Sequence, residues 1–222
     1  LGVGNALTKE MHEEDMELIL SMGANSIRLA HYQHDQYFYD LCDEKGIVVW
    51  AEIPYITVHM PSGRENTIRQ MKELIAQNYN HTSIICWAIS NEISLQGVTE
   101  DLLENHRILN DLIHEMDPSR VSTMANLFML ETDSPLVTLP DIRGYKLYYG
   151  WYVGEMEDND AWFDKFHEEH PDVVIGLTEY GADSTIKLQS PKPEKGDYTE
   201  SYQAVYHEHM LEMLAKRPYI WG

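Results

Sequence analysis

Apolar, strand-like runs alternate along this chain with amphipathic, helix-like segments, and this alternation limits the fold more than any other feature. Seven runs are short and rich in β-branched, aromatic or other apolar residues. Alternation at this spacing predicts a parallel sheet whose strands are joined by helical crossovers. The predicted strands are residues 25–30, 47–53, 83–90, 121–125, 142–149, 173–178 and 219–221.

The helices are predicted from apolar periodicity and from residues that favour helix ends. Gly23 and Gly46 each follow a periodic segment as a stop, and Thr99 precedes another as an N-cap. The predicted helices cover residues 9–22, 37–45, 66–80, 99–116, 160–169 and 200–216, with loops at 127–140 and 186–198.

These strands number one fewer than the eight of a (β/α)8 barrel, and the missing strand would precede the first helix. We therefore predict an α/β TIM barrel that lacks its first strand and ends at its eighth, with residues 1–222 as one domain. A doubly wound open sheet is the alternative, but it usually carries a Gly-rich phosphate turn, which does not occur here. Open edges in an incomplete barrel would favour self-association, so we allow for a homo-oligomer.

The composition excludes several classes of partner. A net charge of −21, from 16 basic and 37 acidic residues, argues against nucleic acid and anionic membranes. No apolar run approaches the roughly 20 residues of a membrane span, and the first residues lack the pattern of a signal peptide. Cys42 and Cys86 fall in a predicted helix and strand and are expected to be buried free thiols.

Two apolar runs end in a carboxylate, at Glu92 and Glu179. A charge at the end of a buried strand is costly unless it is paired, so both positions suggest a function. In a parallel barrel all carboxyl-terminal strand ends open on one face, where polar and aromatic residues suit a ring-shaped polar ligand such as a sugar. The other residues at predicted strand ends are Arg28, His31, Glu52, Asn91, Asn126, Tyr148, Trp151 and Trp221.

Four segments, at residues 27–32, 87–92, 148–152 and 178–181, resemble the catalytic barrel of glycoside hydrolase family 2. The resemblance covers essentially the whole chain, strand by strand. It implies a retaining β-glycosidase that acts on terminal non-reducing sugars. Glu92 would be the general acid/base and Glu179 the nucleophile, with the two carboxyl groups about 5 to 5.5 Å apart.

The same resemblance implies supporting roles around the two glutamates. Asn91 would hydrogen-bond the sugar 2-hydroxyl, and Tyr148 would hold Glu179 in position. Arg28 would help to keep Glu179 ionised, because a nearby cation lowers the pKa of a carboxyl group.

Three further residues have two possible roles each, and Trp221 has one. His31 would contact sugar hydroxyls or be a satisfied core histidine, and Trp221 would form the floor of the pocket. Glu52 either joins the site or only braces Arg28 through a charge pair. Trp151 either contacts the sugar or packs over the barrel rim.

The substrate prediction depends on finer similarities. The pattern at residues 5–14 and 27–54 most resembles bacterial β-galactosidases, so we expect a β-galactosidase of the bacterial cytoplasm or periplasm. A β-glucuronidase usually has an Asn-x-Lys motif after the nucleophile, and Lys187 and Lys192 lie there without it. β-Glucuronidase and β-mannosidase stay as alternatives. So do a catalytically weak sugar-binding domain and another barrel glycosidase, such as a cellulase.

No cofactor is predicted. Some family members hold a magnesium ion beside the acid/base glutamate, but residues 53–59 do not reproduce its ligand pattern, and His167 with His170 fits a solvated helix better than a metal site. The family normally carries β-sandwich domains before the barrel. The chain therefore resembles a fragment of a longer enzyme, and we expect these 222 residues alone to have little or no activity.

Overall fold

The computed structural model describes residues 3–221 and divides them into two compact units. The first unit comprises the residues up to Met124 together with Thr138–Asp141. The second comprises Ala125–Val137 together with the residues from Ile142 onward. No helix in the described part of the chain is both long and apolar enough to cross a membrane.

Three parallel strands form the sheet of the first unit, in the order of the chain. Helices connect them, as the alternating pattern predicts. The strands are β1 (Ser26–Leu29), β2 (Val48–Glu52) and β3 (Ile84–Asn91), and the helices are α1 (Lys9–Ser21), α2 (Gln36–Lys45), α3 (Arg64–Asn78) and α4 (Glu100–Met116).

The predicted helix-end signals act as expected in this unit. The side chain of Thr99 accepts a hydrogen bond from the backbone of Leu102 at 3.2 Å, so it caps α4. Gly46 ends α2 in the left-handed conformation, at φ 72°, which glycine adopts without a steric penalty. Cys42 and Cys86 are both buried free thiols, as predicted.

The second unit contains four parallel strands, again in chain order. Its core is a cluster of aromatic, aliphatic and methionine side chains contributed by strands, helices and the turns between them. The strands are β4 (Val121–Leu127), which starts in the first unit, β5 (Arg143–Lys146), β6 (Ile175–Glu179) and β7 (Ile220–Trp221). The helices are α5 (Pro135–Thr138), α6 (Asp158–Glu169) and α7 (Glu200–Ala215).

The predicted elements agree with the structure to within two residues at their ends, except at two places. The predicted strand 142–149 ends at Lys146, because the backbone of Trp151 and of Tyr152 donates to the Tyr148 carbonyl and turns the chain there. Tyr148 therefore lies in a turn just beyond the strand. The predicted loop 127–140 contains the short helix α5, whose Leu136 and Val137 are buried.

Candidate active site

A buried network of charged and polar side chains lies at the carboxyl ends of β1, β2 and β3. Arg28 Nε donates to Glu52 Oε2 at 2.9 Å, and Arg28 Nη2 donates to Glu52 Oε1 at 3.0 Å. His31 Nδ1 is 2.8 Å from Glu52 Oε1, and Trp50 Nε1 donates to Oε2 at 2.7 Å. Glu52 is fully buried, and the charge pair with Arg28 predicted for it is present.

The ionisation of Glu52 follows from these contacts. Burial by itself would raise the pKa of this carboxyl group. The hydrogen bond with His31, followed by the charge and hydrogen bonds of Arg28, outweighs burial and holds the pKa of Glu52 below its usual range. The network therefore contains a carboxylate that fixes the direction of the Arg28 guanidinium.

The amide of Asn91 is oriented by the same arginine. Arg28 Nη2 donates to Asn91 Oδ1 at 2.8 Å, which assigns the oxygen and leaves the Nδ2 donor on the other side of the amide. The backbone of Asn91 is also fixed, because its N–H donates to the Tyr55 carbonyl and its carbonyl accepts from Thr57, each at 3.0 Å. Asn91 is a rigid and buried hydrogen-bonding group.

Glu92 follows the last residue of β3 and has a left-handed backbone, at φ 52°. This conformation is costly for a residue with a side chain and persists only where the surroundings enforce it. Thr57, which bonds to the neighbouring Asn91 carbonyl, also has a positive φ of 67°. Strained residues in contact with one strand end are typical of a functional site.

A neutral histidine supports β3 immediately before these residues. His106 Nδ1 faces the Leu102 carbonyl at 2.9 Å and must donate, so Nε2 accepts from the Ser90 hydroxyl at 2.8 Å. Burial lowers the pKa of His106 to about 4. The imidazole is therefore uncharged at neutral pH, and its tautomer is set by the carbonyl.

This histidine predicts how stability depends on pH. The unfolded chain binds a proton near the ordinary pKa of about 6.5, whereas the folded chain does so only near 4. Stability is full above pH 6.5 and falls as the pH drops towards 4, by about 3 kcal/mol in total. Urea unfolding between pH 7 and pH 4 measures this loss. His106→Gln, which can keep both hydrogen bonds, should flatten it; equal slopes in both proteins would contradict the assignment.

In the second unit, Glu179 ends β6 and two donors meet at one of its oxygens. Lys146 Nζ lies 2.9 Å from Glu179 Oε1, and the Tyr148 hydroxyl donates to the same oxygen. The Lys146 ammonium also lies 5.8 Å from the centre of the Tyr148 ring, within the range of a cation–π contact. Lys146 is only 4% exposed, so the ammonium is shielded from water, whereas Glu179 is partly exposed.

A register shift between β5 and β6 brings these side chains together. Tyr145 pairs with Leu177, but the next residue, Lys146, pairs with Glu179, so Thr178 is the extra residue. Successive strand residues point to opposite faces, and a bulge of this kind re-aims the side chains that follow it. The Leu147 N–H then bonds to the Glu179 carbonyl at 3.0 Å and closes the ladder.

Trp151 lies in the turn after β5 and is largely buried, at 7% exposure. Its ring packs edge-on against Tyr198, with centroids 4.9 Å apart, and it helps to line a cavity of about 270 Å³ beside Tyr148. The packing interpretation of Trp151 is thus present in the structure, while contact with a sugar stays a prediction.

Trp221 of β7 packs on Gly176 of β6. A Cβ atom added at Gly176 would lie 2.6 Å from the Trp221 ring, so only glycine permits this approach. The neighbouring strand therefore sets the position of the ring that we predict as the floor of a sugar pocket.

The structure places the predicted residues in two groups, one in each unit. Arg28, His31 and Asn91 are joined through Glu52 in the first unit, and Tyr148 joins Glu179 in the second. Lys146 was not among the predicted site residues, and the signal for it is one of two charges, with Arg143, inside the predicted strand 142–149. Among residues 3–221, no group of three or more His, Cys, Asp or Glu side chains is arranged to hold a metal ion.

Residues 2–218 match the family model for glycosyl hydrolases family 2, TIM barrel domain. The chain belongs to this family. The match confirms the resemblance seen in the sequence and the predicted TIM-barrel fold class, with which the seven parallel strands agree.

Similar proteins add detail. A β-glucuronidase from Bacteroides fragilis is 38% identical over 234 residues, which cover 99% of this chain and 33% of that protein. The crystal structure of an FMN-binding β-glucuronidase from Facaelibacterium prausnitzii L2-6 is 46% identical, with a TM-score of 0.94, covering 99% of this chain and 35% of that one. The crystal structure of a Bacteroides fragilis protein named provisionally as a β-galactosidase is 33% identical, with a TM-score of 0.93. The match covers 100% of this chain and 34% of that one. The chain thus spans about a third of the length of its relatives.

Proposed function

We propose that the protein is a retaining β-glycoside hydrolase whose substrate is a β-glucuronide. Membership of a glycosidase family carries the first part of this proposal. Two relatives of 38% and 46% identity named as β-glucuronidases support the second. The proposal replaces the β-galactoside predicted from the sequence with the alternative that the relatives favour.

The proposed reaction divides the work between two carboxyl groups. The Glu92 carboxylic acid gives its proton to the glycosidic oxygen, while Glu179 attacks the anomeric carbon and forms a glycosyl-enzyme ester. The alcohol or phenol then leaves. Glu92, now a carboxylate, takes a proton from water, which displaces Glu179 from the anomeric carbon and releases the sugar with its original configuration.

The buried network around Arg28 supports the binding part of this proposal. The Asn91 amide, held by Arg28, would direct its Nδ2 donor at the sugar 2-hydroxyl, a contact that strengthens in the transition state. Because the amide is already fixed before substrate arrives, little orientation entropy is lost on binding. In this proposal His31 contacts a sugar hydroxyl.

The preference for a glucuronide has a chemical requirement. The sugar carboxylate needs a cation or several hydrogen-bond donors to replace its hydration. The Asn-x-Lys motif expected for this task is not found within the 222 residues. This absence does not weigh against a glucuronide. The chain aligns with only 33% and 35% of the lengths of the two relatives, so most of each relative lies outside the compared region.

A β-galactoside is the second candidate substrate. The Bacteroides fragilis protein named provisionally as a β-galactosidase aligns over 100% of this chain and supports it. Galactose differs from glucuronic acid in carrying no charge at carbon 6, so the two substrates make opposite demands on the pocket at that position.

The test is a panel of 4-nitrophenyl β-glycosides assayed with the protein in its complete natural polypeptide chain. We expect the glucuronide to have the highest kcat/KM, exceeding the galactoside by at least about 100-fold, because a charged group is recognised by a matched cation. A higher kcat/KM for the galactoside or mannoside would refute the substrate. Binding of all glycosides without nitrophenol release would refute the hydrolase and favour a sugar-binding role.

A further inference from the structure

Lys146, the last residue of β5, pairs with a proposed catalytic group. Its Nζ lies 2.9 Å from Glu179 Oε1, and the side chain is 4% exposed, whereas Glu179 is 28% exposed. A lysine this deeply buried loses most of its hydration, so its ammonium must be paired inside the protein. The pairing partner is the carboxylate proposed to attack the sugar.

The backbone fixes this pair rather than leaving it to side-chain flexibility. Lys146 and Glu179 are direct partners across β5 and β6, after the register shift that skips Thr178. Without the shift, Lys146 would face Thr178, and Glu179 would be one residue further along the strand. The bulge therefore has a consequence for chemistry, since it aligns a cation with a carboxylate.

The two donors on Glu179 converge on the same atom. Lys146 Nζ and the Tyr148 hydroxyl both contact Oε1, and the ammonium also lies over the Tyr148 ring. Two donors on one oxygen restrict rotation of the carboxylate about its last bond more than one donor does. A nucleophile held in this way loses less entropy on reaching the attacking geometry.

We infer that Lys146 is a positioning residue that, with Tyr148, orients the Glu179 carboxylate and favours its ionised form for attack. This inference rests on the proposed role of Glu179 as the nucleophile. Lys146 touches the carboxylate and is assigned no contact with the sugar. Its removal should therefore act on the chemical step and leave substrate binding almost unchanged.

The test compares Lys146→Met with wild type and with the control Lys165→Met, whose side chain is 74% exposed. All proteins are produced in the complete natural polypeptide and assayed with the nitrophenyl glycoside that the wild type hydrolyses best. We expect kcat for Lys146→Met to fall on the order of 100-fold with little change in KM, because misplacement of a reacting group has an effect of this size. The control should match wild type.

The pH profile separates positioning from a merely structural role. Loss of a positive charge beside Glu179 disfavours the carboxylate, so the acidic limb of kcat/KM should move to higher pH. Lys146→Gln keeps an N–H donor and a similar volume without the charge. Lys146→Gln should show the same shift of the acidic limb with a smaller loss of kcat. If Lys146→Met does not fold, Lys146→Gln tests the positioning role by itself.

The outcomes distinguish this inference from the proposed function. Wild-type turnover together with an unchanged kcat and pH profile in the Lys146 variants would overturn the inference alone. If both Lys146 variants lose kcat equally and the acidic limb of their kcat/KM profiles does not move, the inference is also overturned, because Lys146 would then serve only the fold. Absence of turnover in the wild type would overturn the proposed function and this inference together.

Discussion

Replacing Glu179 by glutamine is expected to lower kcat on the order of 10⁵-fold, the scale seen when a covalent nucleophile is removed. Glutamine is nearly isosteric, and it can still accept a hydrogen bond from Tyr148 through its amide oxygen. It cannot form the glycosyl-enzyme ester, because an amide is a poor nucleophile. Steady-state hydrolysis of the preferred nitrophenyl glycoside measures the loss, and titration calorimetry with the same glycoside measures binding.

The control for this variant is Glu168→Gln, an exposed position on α6 in the same unit. It removes the same charge without touching the strand ends and should retain wild-type kcat. Binding of the glycoside by Glu179→Gln should survive within about tenfold, since the carboxylate acts mainly in the transition state. A Glu179→Gln protein with more than about a tenth of wild-type kcat would exclude Glu179 as nucleophile.

Replacing Glu92 by alanine is expected to produce a different defect that depends on the leaving group. General acid–base catalysis contributes about 10²- to 10⁴-fold, so kcat/KM for alkyl glycosides should fall by that amount. Dinitrophenyl glycosides need little protonation to leave, and their kcat/KM should fall far less. With these substrates the glycosyl-enzyme should accumulate, because no base remains to activate water.

Azide provides a direct check on the Glu92 variant. A small anion that fits the space left by the carboxylate needs no base, so it should raise kcat of Glu92→Ala with the dinitrophenyl glycoside and yield a β-glycosyl azide. The control Glu115→Ala, an exposed residue of α4, should neither lose activity nor respond to azide. Equal losses for alkyl and dinitrophenyl substrates, without azide rescue, would remove the acid/base role.

Much of the fold could be predicted because local sequence and tertiary structure agree. The apolar run before Asn91 forms the long buried strand β3, and Thr99 and Gly46 act at helix ends as their chemistry favours. The Arg28–Glu52 pair was also predictable, since adjacent parallel strands bring two opposite charges to the same end. In these places a strong local signal, or the simple pairing of neighbouring strands, decides the outcome.

Other parts of the site depend on features that no local pattern contains. A register shift is a property of two strands together, so the sequence of β5 alone could not show that Lys146 meets Glu179 and not Thr178. A left-handed backbone is usually signalled by a glycine, but this position holds Glu92. The surrounding structure imposes the strained conformation, and the local sequence does not show it. Tyr148 was assigned to a strand because its apolar neighbours continue the β pattern into a turn.

The substrate shows a different limit of sequence reasoning. Overall resemblance near residues 27–54 favoured a galactoside, but these residues form the strands and the network that would hold any sugar by its shared hydroxyls. Discrimination between a glucuronide and a galactoside depends on groups near carbon 6 of the sugar, where only the glucuronide is charged, and near carbon 4, where the two sugars have opposite configurations. Similarity in the common part of a pocket carries little information about these two positions.

The most direct measurement of the central claim is covalent trapping of the nucleophile. In a 2-deoxy-2-fluoro-β-glucuronyl fluoride, the fluorine at carbon 2 destabilises the oxocarbenium-like transition states of both steps, whereas the good fluoride leaving group at carbon 1 speeds only the first. The glycosyl-enzyme therefore forms faster than it hydrolyses and accumulates. After proteolysis, mass spectrometry should find one added sugar on the peptide containing Glu179, and loss of activity should match the labelled fraction. A label on another carboxylate, or full turnover of aryl glucuronides without any covalent adduct, would contradict the account.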